Sequence, residues 1–400
     1  MRVEFFPSKL SGTIKAPCSK SYAHRLLIAG ALSKNECVIS NVDFNNDINE
    51  TINVLRKLGK EIIIKDNEVI LKGELTKQDN IEFEVLESGS TLRFLIPVAM
   101  VFSSNIKINC SPQLIKRGIG VYVDAFSSKG IDIKVNETSI EIKGKLTSGD
   151  YVIPGNISSQ YVTGLLYALS LLDETSHLKV LKPVESEDYI NITLDVLKHA
   201  KVNILNNDYV YEIAPKAFIL PNSEVEGDYS NAAFIYGLNY TLSTNIDVIG
   251  LNKESKQGDK VYEHMFKELS LGYKEFDISN CIDLGPVLFA FASLCEGGKF
   301  TGTKRLAIKE SNRALAMQEE LDKCGVHIEV GEDYVSVPKG NFHSPDKELD
   351  SHNDHRIAMS MAMVLIKYGG VINNFEAVNK SYPKYLDDIK KLGGRFKIYE

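Results

Sequence analysis

Residues 19–33 read SKSYAHRLLIAGALS, a small polar residue followed by an apolar run rich in Ala and Leu with no wet face. The same text recurs at 88–103 (SGSTLRFLIPVAMVFS), 158–172 (SSQYVTGLLYALSLL), 228–243 (DYSNAAFIYGLNYTLS), 283–298 (DLGPVLFAFASLCEGG) and 354–370 (DHRIAMSMAMVLIKYGG). The starts lie about 70 residues apart, except for one step of about 55 between Asp228 and Asp283. Each start is Ser or Asp, a side chain whose oxygen accepts an orphan N–H at a helix N-terminus. Runs that are apolar almost all round predict helices buried on every side.

A second helix type alternates with the first, amphipathic, ending in a turn and followed by β-rich text. Its copies begin NETINVLRKLG at Asn49, GVYVDAFSSKG at Gly120, NITLDVLKHAK at Asn191, KVYEHMFKELSLG at Lys260, ALAMQEELDKCG at Ala314 and YLDDIKKLGG at Tyr385. Gly59, Gly130, Gly272, Gly325 and Gly393 or Gly394 stand where a left-handed C-terminal residue is wanted. In the third copy that place falls at about Ala200. Fixed-period recurrence signals a repeat architecture. The chain therefore reads as α/β, six strand–helix–strand–helix–strand units, each too small to stand alone and grouped three and three into two domains.

The rest of the composition narrows the function. The chain has 400 residues, 44% apolar and 25% charged, which is globular and too long for one simple core. A net charge of −7 excludes a general nucleic-acid binder. No apolar run approaches the ~20 residues of a membrane span, and Met1-Arg2-Val3-Glu4 opens no signal-peptide core. Cys18, Cys37, Cys110, Cys281, Cys295 and Cys324 form no CxxC pair. A reduced, cytoplasmic protein is expected. Yet cations cluster at the buried helix starts: Lys20 and Arg25, Arg93, Arg313 and Arg356. Parallel helices would aim their positive N-termini at one face. Together these make an anion site without a basic protein, so a phosphate- or carboxylate-bearing small molecule is the expected substrate.

Several segments are candidates for that chemistry. Ser21 and Arg25 share a helix face, with Lys20 at the positive end. Glu87-Ser88-Gly89-Ser90-Thr91-Leu92-Arg93 is either an anion cradle or an ordinary capped helix start, and Ser158-Ser159-Gln160 reads the same two ways. In Lys309-Glu310-Ser311-Asn312-Arg313 three charges fall on one side of a helix entrance. That is surface ion pairing, or a carboxylate kept ionised among substrate-binding cations. Asp354-His355-Arg356 with His352 offers too few imidazoles for a metal site, and a cap by Asp354 fits better. Lys380 opens the last helix with another cation. Cys110 ends a β-like run without a neighbouring His, as a strand-end thiol and not a nucleophile.

Read in order, KSYAHR, ESGSTLRFLIP, IKRGIG, SSQY, EGDYSNA, IKESNR, NDHRIAM and VNKSYP resemble the 5-enolpyruvylshikimate-3-phosphate (EPSP) synthase family of enolpyruvyl transferases over nearly the whole chain. The resemblance implies a two-domain fold of six βαβαββ units, three per domain, around parallel buried helices. It implies a discontinuous domain, 1–18 with 226–400, and an inserted domain, 19–225, hinged near Pro17 and Glu226, with ligands in the cleft between. It implies transfer of the enolpyruvyl group of phosphoenolpyruvate to the 5-hydroxyl of shikimate 3-phosphate by addition and elimination, in the pathway to chorismate, by a monomer needing no metal or cofactor. By motif, shikimate 3-phosphate falls to Lys20, Ser21, Arg25, Ser158, Ser159, Ser186, Tyr189, Asp283 and Lys309. Phosphoenolpyruvate, and the competing inhibitor glyphosate, fall to Lys20, Gly89, Arg117, Gln160, Arg313, Arg356 and Lys380. Asp283, Glu310 and Lys20 are the proton-transfer candidates.

The departures from the family pattern are Glu87 for a usual Asn, Ser90 for Thr, Asn312 for Asp, and Arg305 where a substrate-binding Asn is common. The sister family, UDP-N-acetylglucosamine enolpyruvyl transferase, typically has Lys-Asn at the first helix and a catalytic Cys in a Gly-rich loop. This chain has Lys20-Ser21 there, and Cys110-Ser111-Pro112-Gln113-Leu114 followed by Lys116-Arg117. A catalytically silent anion-binding relative is the other alternative, opposed by the joint presence of Asp283 and Glu310.

Overall fold

The structure, a computed structural model, describes residues 1–399 and divides into two compact units, Met1–Pro17 with Gly227–Glu400 and Cys18–Glu226.

The inserted unit holds three four-stranded sheets of one design. In the second, Ile81–Val85 runs parallel to Asn105–Cys110, which pairs antiparallel with Ser139–Lys143 and through it with Asp132–Val135. The buried helix Gly89–Phe102 bridges the parallel pair, as a parallel crossover requires, and the amphipathic helix Gly120–Ser127 leads to the hairpin. The third repeats this with Asp150–Pro154, Ser176–Leu181, Val210–Ile213 and Leu205–Asn207 around the helix Ser159–Leu169. The first is closed circularly: its opening strand, Ser223–Glu224, comes from the far end of the unit and lies parallel to Cys37–Ser40 beside the helix Lys20–Leu32. Strands such as IEFEV (81–85) alternate buried and exposed residues, so each sheet has one dry face.

In the other unit two sheets keep the four-stranded plan. One is Lys274–Asp277, Gly298–Thr301, Tyr334–Val337 and Glu329–Val330. The other is Leu349–Asp350, Gly370–Asn373, Arg2–Phe6 and Arg395–Tyr399, again closed by a strand from the opposite end of the chain. The remaining unit departs from six complete βαβαββ repeats. Asn245–Ile249 pairs parallel only with Ser11–Lys15. After the helix Tyr262–Leu271 the chain turns at Gly272 and enters Lys274–Asp277, already the first strand of the next sheet. The missing hairpin accounts for the short sequence step between Asp228 and Asp283.

The caps explain where the buried helices begin. The side chains of Ser19, Ser88, Ser158, Asp228 and Asp354 accept the N–H of Tyr22, Thr91, Gln160, Asn231 and Arg356. Asp283 does not cap. It sits in a 3-10 turn, Ile282–Leu284, ahead of the helix Gly285–Leu294, and Pro286 in the first turn has no N–H to offer. In the third amphipathic helix the left-handed residue is Lys201 (φ +65°), one beyond Ala200. Gly164 lets the Ser159–Leu169 helix lie hard against Gly89–Phe102, since a Cβ there would overlap the Arg93 carbonyl and the Tyr122 hydroxyl. That contact sets the spacing of the side chains at the heads of both helices. Among the described residues no helix is long and apolar enough to cross a membrane.

Candidate active site

In the inserted unit, cations gather at the heads of the buried helices. Lys20 opens the first and places its Nζ 2.7 Å from Asp47 Oδ2, on the helix Asn46–Lys57. Arg25, one turn on, is buried and lies over the Phe94 ring, its Cζ 4.9 Å from the centroid. It donates to Thr193 Oγ1 (2.8 Å), the Ser21 carbonyl (2.8 Å), the Tyr189 carbonyl (2.9 Å) and Thr163 Oγ1 (3.3 Å). Burial pulls its pKa down to about 10, so it stays cationic near neutrality. Ser186, the residue before the helix Glu187–His199, is left-handed (φ +56°), a conformation non-glycine residues seldom adopt.

The second cluster centres on Arg93. It donates to Gln160 Oε1 (2.6 Å) and to the carbonyls of Arg117 (2.9 Å) and Gly118 (3.1 Å). Gln160 in turn donates to Ser90 Oγ at 2.9 Å. Arg117 Nη1 donates to the Glu87 carbonyl at 3.0 Å. A Cβ on Gly89 would stand 2.7 Å from Arg117 Nη2 and 3.1 Å from Arg93 Nη1, so a side chain here would force the guanidinium to shift. Gly89, Arg117 and Gln160 are thus brought together. Ser158 caps, and the adjacent Ser159 is buried.

In the other unit Arg313 is a hub of four charge-assisted bonds, with 1% of its side chain exposed. Its Nε donates to Asp354 Oδ2 (2.8 Å), Nη1 to Asp283 Oδ1 (2.8 Å), and Nη2 to Glu310 Oε2 (2.5 Å) and Asp354 Oδ1 (3.3 Å). Burial pushes its pKa down, but Asp354, Glu310 and Asp283 outweigh that and hold it above the usual value. Asp283 also meets Lys309 Nζ at 3.2 Å and Arg356 Nη2 at 3.5 Å, and its carbonyl accepts from Arg356 Nη1 at 3.0 Å. Burial favours a neutral Asp283; Lys309, Arg356 and Arg313 together hold it ionised, well below the usual carboxylate range. Lys380 Nζ donates to the Asn353 carbonyl at 2.8 Å, one residue before Asp354. Asp283, Lys309, Glu310, Arg313, Arg356 and Lys380 therefore form one connected set.

The sequence of the EPSP synthase (3-phosphoshikimate 1-carboxyvinyltransferase) family matches the chain over residues 6–272 and 268–389. The chain belongs to that family. Among its relatives, the 3-phosphoshikimate 1-carboxyvinyltransferase of Clostridium novyi (strain NT) is 36% identical, the match covering 98% of this chain and 97% of the relative. The protein of that name from Clostridium perfringens (strain ATCC 13124) is 36% identical with 99% of each covered. An EPSP synthase structure from Acinetobacter baumannii matches with a TM-score of 0.79 at 19% identity, over 100% of both chains. The enolpyruvyl transferase NikO from Streptomyces tendae matches with a TM-score of 0.72 at 13% identity, over 99% of this chain and 98% of its own. These two likenesses show the two-domain enolpyruvyl transferase fold.

Several participants escape a reading of motifs. Arg93 reads as one more helix-start cation, and its role in joining Gln160 to Arg117 needs the packing at Gly164. Asp47, the partner of Lys20, looks like an acid in a helix first turn. Asp354 signals only its cap, yet it also takes two bonds from Arg313 and one from the Ser311 hydroxyl (3.1 Å). Of the departures, Ser90 keeps its hydroxyl on Gln160 and Asn312 caps the helix Arg313–Asp322. Arg305 is buried and donates to the Ser279 carbonyl. The Cys110 thiol is pushed up to about 12 by burial and by Glu50, too high to supply a thiolate.

Proposed function

We propose that the chain transfers the enolpyruvyl group of phosphoenolpyruvate to the 5-hydroxyl of shikimate 3-phosphate, giving 5-enolpyruvylshikimate 3-phosphate and phosphate. The observation that carries this is membership of the EPSP synthase family, at 36% identity over nearly the full length. The cation–carboxylate set around Asp283 and Arg313 supports it.

In the addition step the 5-hydroxyl oxygen bonds to C2 of phosphoenolpyruvate, its proton leaves, and C3 gains a proton to become a methyl. In the elimination step the C2–O bond to phosphate breaks and the methyl returns a proton, restoring the double bond. We assign the hydroxyl proton to Asp283 and the C3 proton to Glu310 with Lys20. A carboxylate held low is a weak base. The cations that hold Asp283 low are, however, the ones we assign to substrate anions: Lys309 to shikimate 3-phosphate, Arg313 and Arg356 to phosphoenolpyruvate. Phosphate and carboxylate groups that draw on those cations raise the basicity of Asp283, so filling the site activates the base.

The remaining assignments follow the same division. Lys20, Ser21, Arg25, Ser158, Ser159, Ser186 and Tyr189 serve shikimate 3-phosphate, and Gly89, Arg117, Gln160 and Lys380 serve phosphoenolpyruvate. We assign the reaction to a cytoplasmic monomer. The test is phosphate release with both substrates, each omitted in turn, with the product identified by mass. Release that needs UDP-N-acetylglucosamine as acceptor would assign the chain to the sister chemistry. No release with any acceptor would leave an anion-binding protein.

A further inference from the structure

Glu50 lies one turn beyond Asp47 on the helix Asn46–Lys57 and has been given no role toward either substrate. Its carboxylate is nevertheless built into the loop that carries Gly89. Oε1 accepts the Glu87 N–H and Oε2 accepts the Ser88 N–H, both at 3.1 Å. The Ser88 N–H and the Glu87 carbonyl belong to one peptide group, and that carbonyl accepts from Arg117 Nη1 at 3.0 Å. A single peptide plane is therefore held at its N–H end by Glu50 and at its C=O end by Arg117. Bonds in such a chain polarise and orient each other. The Arg117 guanidinium also lies close over Gly89, its Nη2 2.7 Å from where a Cβ on that residue would stand.

We propose that Glu50 is a positioning residue for phosphoenolpyruvate binding: as a carboxylate it fixes the 87–88 peptide, and through that peptide it aims the Arg117 guanidinium. The proposal rests on the assignment of Arg117 and Gly89 to phosphoenolpyruvate made above. The clamp needs two acceptor oxygens, and a protonated carboxyl has only one oxygen that is not a donor. Burial raises the Glu50 pKa to about 7, against the backbone amides of Ser88, Glu87 and Leu86 that lower it. Its titratable neighbours are Asp47 on its own helix and the Cys110 thiol, with Arg117 beyond the peptide.

Glu50→Gln is the test, since it keeps the shape but turns an NH2 toward one of the two amides. The KM for phosphoenolpyruvate is expected to rise about 10-fold, the loss of one hydrogen bond to a charged group. The KM for shikimate 3-phosphate should stay within about 2-fold and kcat should change little. The ratio of variant to wild-type KM should close as pH falls below about 7, where wild-type Glu50 itself takes up a proton. Equal movement of both KM values, no movement of the phosphoenolpyruvate KM, or a pH-independent ratio would each overturn the proposal. Hydrogen exchange of the Glu87 and Ser88 amides, corrected for intrinsic rate, is read in wild-type protein at pH 6 and pH 8 and in the variant at pH 8. Both amides should be protected only in the wild type at pH 8, and one of the two should lose protection in the wild type at pH 6 and in the variant. Equal protection in all three overturns the clamp. If the wild type shows no turnover, the functional assignment fails, and the exchange measurement still decides whether Glu50 holds the loop.

Discussion

Arg313→Leu should destabilise the discontinuous unit more than any other single cation removal in this chain. The guanidinium has 1% of its side chain exposed and bonds three carboxylates, of which Asp354 is fully buried and Asp283 and Glu310 are mostly so. Leucine fills much of the space and leaves three negative groups facing one another. Breaking a buried ion pair from one side costs about 3–5 kcal/mol, most of it the stranded charge. In a unit of about 190 residues that lowers the melting temperature by roughly 10 °C. Calorimetry is the assay of choice, because the chain has no Trp. Arg313→Lys keeps a cation but not the planar fork, and should fall between wild type and Leu. The pH dependence gives a second reading. Asp283 has a depressed folded pKa, so its contribution is present above its unfolded value of about 3.9 and is lost as pH falls through the folded value. Without Arg313 that depression shrinks, and the gap between wild type and Arg313→Leu should narrow on acidification below about pH 4. An Arg313→Leu protein melting within about 2 °C of wild type, with a pH-independent gap, would show that the carboxylates find other partners and that the hub reading is wrong.

Glu310→Gln should lower kcat by roughly 10²-fold or more with little change in substrate affinity, whereas Arg313→Lys should chiefly raise the KM for phosphoenolpyruvate; a near-normal kcat in Glu310→Gln would move the proton to Asp283 or Lys20. Gly89→Ala puts a Cβ 2.7 Å from Arg117 Nη2, and the guanidinium must retreat by about 1 Å to reach ordinary contact. Glyphosate inhibition should weaken more than the KM for phosphoenolpyruvate rises, and equal losses would remove Gly89 from the discriminating wall. His352 bonds Glu320 at 2.7 Å, which raises its pKa against the opposing effect of burial. That stability is complete below pH 6.5, its ordinary value, and is lost as pH rises through the raised folded pKa. His352→Phe should remove about 1–2 kcal/mol at pH 6 and little at pH 9, and parallel melting curves of wild type and variant across that range would refute the pairing.

The repeat was legible because its signals are local: a capping Ser or Asp, an all-apolar run, then a glycine turn, each readable within a dozen residues. The missing hairpin after Leu271 was visible only as a shortened step, since Tyr273–Phe276 has the same β-rich text whether it closes one sheet or opens the next. The cap at Asp283 was misread for a related reason. Position and residue type matched Asp228 and Asp354, but the charges that claim its carboxylate lie 26 and 30 residues further on, at Lys309 and Arg313. Glu50 shows the same limit most plainly. On an amphipathic helix it reads as an ordinary exposed acid, and only the fold brings the 87–88 peptide onto it.

The circular closure of the sheets has a consequence for synthesis. Ser11–Lys15 pairs with Asn245–Ile249, and Arg2–Phe6 with Gly370–Asn373 and Arg395–Tyr399. At about 5–20 residues per second, Arg2–Phe6 is made roughly 20–70 s before its partners exist. The three sheets of the inserted unit draw all their strands from within it, and the last of these, Ser223–Glu224, can pair with Cys37–Ser40 as soon as it is made. Its ends are neighbours, since the Ser19 N–H donates to the Glu226 carbonyl at 2.7 Å, and just outside it the Asp228 N–H donates to the Pro17 carbonyl at 2.8 Å. On the ribosome, then, the middle of the chain is complete while both flanking segments are still waiting. Ser11–Lys15 waits for Asn245–Ile249 and Arg2–Phe6 is among the last strands to be paired, and until then each is an unpaired β-edge that a chaperone, or another nascent chain, can reach.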